Sequence, residues 1–289
     1  MMSFRTILTV LNGRHGDAAS LETAYAVASM TDSHIDVMHV RPDPRGYVDF
    51  TGDAMTGNAY VQLIESLEEE IAGNAKAARA SFDAWVADAG ITVVDGPGGS
   101  GQVTATWRER TGAEDKTIAG EARLRDLVIL SATGEDGDSV RDGAIEKAIF
   151  DSGRPLLLTP RDAGLKKVGR AAVFWNGGTQ AARAVAAALP LLHEADAVDV
   201  MWVDEDVEDD FILTGLIDYL AWHGISASVQ RYKPDERLIG ELLMDKAVSS
   251  GADVVVMGGY SHSRLREFIL GGVTQHMLDE SPLPALIAH

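Results

Sequence analysis

Short apolar runs recur along the chain, separated by longer segments with helical spacing. Arg5 to Asn12 (RTILTVLN), Asp36 to Val40 (DVMHV), Asp126 to Ser131 (DLVILS) and Pro155 to Pro160 (PLLLTP) read as buried strands. So do Arg170 to Asn176 (RAAVFWN), Asp199 to Val203 (DVMWV), Ala252 to Met257 (ADVVVM) and Pro284 to His289 (PALIAH). Unbroken apolar runs of this kind suit parallel strands covered on both faces. Ile91 to Asp95 and Ile225 to Tyr232 complete the predicted strands. Between them, helical spacing predicts helices over Ala18 to Met30, Tyr60 to Gly90, Asp142 to Ser152, Thr179 to Glu194, Asp209 to Gly224 and Glu236 to Ser250. Val103 to Arg125 reads as partly helical with a break near Gly112, and Val273 to Glu280 as a last helix stopped by Pro282.

The pattern repeats. Asn12-Gly13 and Asn176-Gly177 each end a strand, and an Asp-Val-Met strand follows 23 or 24 positions later in both places. Asp126 and Asp253 each open an apolar strand, and each half closes on a proline-led strand. Four matched elements in one order predict two related domains in tandem, residues 1–162 and 167–289, joined between Arg161 and Gly169. Regular β–α alternation makes each an α/β domain with a doubly wound, Rossmann-like parallel sheet. Ligands of such sheets bind at the carboxyl ends of the strands, where the strand order reverses.

Composition narrows the function. With 289 residues, 46% hydrophobic and 24% charged, the chain can bury a full core. It has no cysteine, which excludes disulfides, thiolate metal sites and cysteine nucleophiles. A formal net charge of −19 disfavours nucleic acid and anionic membrane as partners. No run approaches the roughly 18 apolar residues of a membrane span, and Met1 to Leu11 lacks the pattern of a targeting segment. These features predict a cytoplasmic protein.

Little reaction chemistry is visible. The eight histidines form no i, i+4 metal pair, and there is no Walker or nucleophile-elbow motif. His39 reads as a core histidine with its bonds satisfied, and no residue is assigned as catalytic or metal-binding. Asp204 to Asp210 (DEDVEDD) reads as a solvated acidic run or an oxygen-ligand cation site, Arg41 to Ala59 as a lid, contact surface or excursion, and Gly96 to Gly101 as a flexible turn.

The richest stretch follows the strand at Ala252. Gly258 and Gly259 break it, a basic loop carries His262, Arg264 and Arg266, and Gly271-Gly272 precede the last predicted helix. Glycines admit a close ligand, and a helix start offers free N–H groups to an anion. The plain alternative is a set of glycines that only make turns. The stretch resembles the nucleotide signature of the universal stress protein family, Gly-x-x-Gly, nine residues, then Gly-Ser or Gly-Thr. Here Gly258, two residues, Ser261, nine residues and Gly271-Gly272 keep the spacing, with Ser261 and Gly272 departing in identity.

This resemblance, over nearly the whole chain, implies a tandem stress protein whose two domains form an internal pseudo-dimer through Pro155 to Pro160 and Pro284 to His289. It allows a homodimer of whole chains. It also implies a stress-response or regulatory role with ATP or another adenine nucleotide, accompanied by Mg, in the second domain. There Asn176 and Gly177 would meet the nucleoside and Trp202 and Val203 would border the base. Gly258 and Ser261 would line the ribose and first phosphates. The N–H groups of Gly271, Gly272, Val273 and Thr274, with Arg264, would hold the outer phosphates. Ser261 carries a Cβ where the family has glycine, which implies weak binding. The first domain is acidic after Ser131 and is expected to hold no nucleotide phosphates. A scaffold acting through protein contacts, and a slow ATPase, are the alternatives.

Overall fold

A computed structural model describes residues 3–44, 58–97, 101–132, 139–203, 210–259 and 282–289. The first half contains β1 (Thr6–Val10), α1 (Asp17–Thr31), β2 (His34–Arg41), α2 (Asn58–Ala89), β3 (Thr92–Val93), β4 (Thr104–Thr111), α3 (Glu114–Ala122), β5 (Leu127–Ser131), α4 (Ser139–Asp151) and β6 (Leu156–Thr159). The second contains β7 (Arg170–Phe174), α5 (Thr179–Glu194), β8 (Ala197–Val203), α6 (Asp210–Trp222), β9 (Ala227–Tyr232), α7 (Ile239–Ser249), β10 (Val254–Gly258) and β11 (Ala285–Ala288).

All strands join one sheet, in the order β3-β4-β2-β1-β5-β6-β11-β10-β7-β8-β9. Each half is parallel within itself, so the α/β alternation produces the doubly wound arrangement its pattern predicts. The two proline-led strands meet antiparallel, Leu156 opposite Ile287 and Leu158 opposite Ala285, and this pairing makes the sheet continuous across the halves. Side chains alternate across the sheet and are apolar on both faces. Ile7, Ile35, Val37, Val173 and Val200 fill one layer, and Leu8, Val10, Met38, Ala172 and Met201 fill the other. Each side chain of Val or Leu size buried this way contributes roughly 1.5–3 kcal/mol.

The repeat extends to individual polar contacts. The Asp126 carboxylate accepts the N–H groups of Arg5 at 2.8 Å and Thr6 at 3.0 Å, fixing the start of β1. Asp253 does the same for Gly169 at 2.7 Å and Arg170 at 2.8 Å, at the start of β7. Asp36 and Asp199 hold matching places in β2 and β8, both buried and both paired with arginine. Burial pushes the Asp36 carboxyl up. Hydrogen bonding to His34 and Arg108, with the charges of Arg125 and Arg108, more than offsets this and holds it well below the usual carboxylate range. Asp199 is lowered in the same way, burial being outweighed by hydrogen bonds from Ser228 and Arg170 and by the Arg170 charge.

One predicted helix is a strand. Residues 104–111, expected to be partly helical, form β4, which runs beside β2 over eight paired positions from Thr104–His34 to Thr111–Arg41. The sequence TATWRERT alternates. Ala105 and Trp107 face the apolar layer under α2, and Arg108 turns to the other side, where it meets Asp36. Threonine and tryptophan suit such a half-buried surface, and β2 offers the ladder. Only α3, after Gly112, is helical. α4 starts at Ser139, earlier than Asp142, so Gly143 lies inside the helix rather than at its start.

Candidate functional site

The strand order reverses at β7, which has β10 on one side and β8 on the other. The carboxyl ends of these three strands bring together five residues marked by the sequence. Asn176 and Gly177 follow β7, Trp202 and Val203 end β8, and Gly258 ends β10. Asn176 and Gly177 are exposed, and Trp202, Val203 and Gly258 are half-buried. The Asn176 side-chain oxygen accepts the Gly178 N–H at 2.9 Å, closing a tight turn. The amide NH₂ of this exposed residue is a further donor. Gly177 sits at φ +71°, in the left-handed region that favours glycine.

Gly258 has a packing role of its own. A Cβ there would stand 2.5 Å from the Ala181 backbone nitrogen and 2.7 Å from the Gln180 carbonyl carbon, in the first turn of α5. β10 therefore approaches α5 as closely as a backbone without a side chain permits. Gly258→Ala is expected to destabilise the chain by about 1–3 kcal/mol through overpacking. An unchanged midpoint in chemical denaturation would contradict this. The remaining predicted contacts, Ser261, Arg264, Gly271, Gly272, Val273 and Thr274, with the helix from Val273 to Glu280, lie outside the described residues, as does Asp204 to Asp209 of the acidic run.

The first half holds a cavity of about 120 Å³ at the matching place. Asn12 corresponds to Asn176, His39 to Trp202 and Val40 to Val203, and Asn12, His39 and Val40 all line it. The Asn12 side-chain oxygen accepts the Arg14 N–H at 3.0 Å, repeating the turn after β7. Asp17 accepts the N–H groups of Asn12 at 3.0 Å and Gly13 at 2.9 Å. Arg14 reaches across to Glu70 on α2 at 2.8 Å. Asn74 and Glu114 complete the polar lining, and Pro42, Leu67 and Ile71 form an apolar wall with Val40.

His39 is 2% exposed, and its Nδ1 lies 2.8 Å from the Leu11 carbonyl oxygen. A carbonyl only accepts, so Nδ1 is the donor of this bond. Nε2 is buried without a hydrogen-bond partner among the described residues. His39 is thus satisfied at one nitrogen only, not at both as a fully satisfied core histidine would be. A buried polar atom left without a hydrogen bond costs about 1–3 kcal/mol. Sequence reasoning passes over Arg14, Glu70, Asn74 and Glu114. The available signal is the repeat itself, which sets His39 where the other half has Trp202, together with Leu67, Ile71 and Asn74 recurring on one face of α2.

Comparison with known proteins bears on the fold. No family model matches the chain, and no curated protein matches it. Among solved structures, a universal stress protein from Archaeoglobus fulgidus DSM 4304 is 15% identical, with 98% of this chain and 95% of that one covered at a TM-score of 0.66. A functionally unknown protein from Pseudomonas aeruginosa PAO1 is 16% identical, with 99% of this chain and 92% of that one covered at a TM-score of 0.53. The described residues thus share the α/β fold of a universal stress protein structure. Among the described residues no helix is long and apolar enough to cross a membrane.

Proposed function

We propose that the chain is a stress-response or regulatory protein that takes up an adenine nucleotide, ATP with Mg, at the carboxyl ends of β7, β8 and β10. The observation that carries this reading is the meeting of Asn176, Trp202 and Gly258 at the point where the strand order reverses. The half-buried Trp202 and Val203 offer an apolar border to a base. The exposed Asn176 amide can donate to the nucleoside. Gly258 ends β10 beside them, and the stretch from Ser261 to Thr274, with Arg264, would serve the phosphates. A cation bound with the nucleotide offsets the repulsion that a chain of net charge −19 exerts on a polyphosphate. No residue is assigned a catalytic role.

Mass spectrometry of small molecules released on denaturation, followed by titration with ATP, AMP and cyclic AMP with and without magnesium, tests the reading. ATP should be released or should bind more tightly with magnesium. Truncation of Asn176 to alanine removes one neutral hydrogen bond and is expected to weaken ATP by up to about tenfold. Finding no small ligand and no titration favours a scaffold instead. That second reading has an observation behind it, because Phe211 and Trp222 on α6 are 85% and 90% exposed and offer apolar surface to a protein partner. A homodimer of whole chains belongs to the same proposal, and light scattering at micromolar concentration that returns the monomer mass removes it.

A further inference from the structure

We propose that the outward face of α6 is the surface on which two copies of this chain pair, antiparallel about a twofold axis. The inference rests on the homodimer of whole chains proposed above and not on the nucleotide reading. α6 buries Leu213, Leu216 and Leu220 in the apolar layer over the sheet. Opposite them, Phe211, Gly215, Asp218 and Trp222 follow the i, i+4, i+7, i+11 spacing of one stripe, and all four are exposed. Phe211 and Trp222 are the two most exposed aromatic side chains among the described residues. Gly215 lies between them. A Cβ there would meet nothing within 4 Å, so the stripe carries an open notch. Glycine weakens a helix interior, and the space around Gly215 gives no packing reason for one.

The shape that fits this stripe is the stripe itself. Phe211 and Trp222 are equidistant from a centre between Leu216 and Ile217, and so are Gly215 and Asp218. An antiparallel copy crossing at that centre sets Phe211 against Trp222 of the second copy, and Asp218 over the notch at Gly215, each twice. On one flank the exposed Ile212 comes beside Tyr219 of the second copy, and on the other Thr214 comes beside Ala221. Apolar groups thus meet apolar groups, as a self-complementary, isologous interface requires. Aromatic side chains bury roughly 150–250 Å² each, so Phe211 and Trp222 of two copies cover about 600–1,000 Å². A stable interface covers about 1,200–2,000 Å², and Ile212, Tyr219 and the helix backbones add to the anchors. Charge works against the pair. Each copy carries a formal net charge of −19, and the two Asp218 carboxylates approach each other at the axis. Salt therefore strengthens the association.

Sedimentation equilibrium of the full chain at micromolar concentration should give a dimer that tightens as salt is raised. Gly215→Leu fills the notch and Trp222→Glu removes an anchor. Each should weaken the dimer by roughly tenfold or more while the thermal transition is kept, because both positions face solvent. Leucine favours a helix more than glycine does, so a purely local role for Gly215 predicts a higher melt with the dimer intact. Asp218→Asn removes the like charges at the axis and should tighten the dimer about threefold. The chain has no cysteine, so Asp218→Cys carries a lone thiol. Mild oxidation should link two copies through it faster than through Leu124→Cys, an exposed position in the first half. A monomer at these concentrations overturns the proposal and removes the homodimer with it. A dimer that neither Gly215→Leu nor Trp222→Glu weakens, or equal linking through the two thiols, overturns this surface and leaves the homodimer standing. Neither result bears on the ATP titration.

Discussion

Replacing Asp36 by alanine is expected to lower the stability of the folded chain by about 3–5 kcal/mol, the range for breaking a buried ion pair. Asp36 joins two elements that are far apart in sequence. Its Oδ1 accepts Arg108 Nε from β4 at 2.6 Å, and its Oδ2 accepts Arg125 Nε at 2.6 Å. The arginines are themselves partly buried, Arg125 at 13% side-chain exposure. Without the carboxylate their charges stay in the sheet uncompensated, and that residual charge makes the loss large. The effect has a pH signature. Because the folded pKa is depressed, the contribution is complete above the unfolded carboxylate value of about 4 and is lost as pH falls from there toward the lower folded value. Urea denaturation at neutral pH and in the acid range should show wild type losing stability on acidification more steeply than Asp36→Asn. Equal acid limbs would contradict the assignment.

Gly13→Ala is the second large loss. Gly13 has φ +76°, and a Cβ there would lie 2.0 Å from the Asn74 carbonyl oxygen of α2. A left-handed backbone costs a non-glycine residue about 1–2 kcal/mol and overpacking about 1–3 kcal/mol, so a total of about 2–5 kcal/mol is expected. Backbone meets backbone at this contact, so no side-chain rotation relieves it. The turn after β1 and the third quarter of α2 must separate, and that opens the cavity between them. Thermal melts of Gly13→Ala and Gly90→Ala make the comparison. Gly90 is also at positive φ, +63°, but nothing lies within 4 Å of its Cβ position. Gly13→Ala should fall well below Gly90→Ala, and equal melts would show that the contact with α2 does not govern stability.

The strands and the repeat were legible because burial on both sheet faces writes itself as unbroken apolar runs, as in LVILS of β5 and VVVMG of β10. The paired aspartates Asp126 and Asp253 were visible as matched positions, although their work of capping β1 and β7 was not. β4 was missed because its arginines look solvated along the sequence. The partner that makes Arg108 a sheet residue, Asp36, is 72 positions away. The cavity was hidden for the same reason: Arg14 and Glu70, which bridge its mouth, are 56 positions apart. Gly258 has a packing role that the sequence did not show. A glycine beside a phosphate-like motif invites a ligand reading, and its closest neighbour is the backbone of α5.

The central claim is that an adenine nucleotide enters the second half beside Trp202 and not the matching place in the first. Calorimetric titration of ATP with magnesium into the full chain, Trp202→Ala and Asn12→Ala tests it most directly. Trp202→Ala removes the apolar border of the base and should weaken ATP by roughly tenfold or more, in line with the value of stacking a base on an aromatic ring. Asn12→Ala should leave the affinity within error of wild type. Loss of ATP binding in Asn12→Ala with none in Trp202→Ala would contradict the claim.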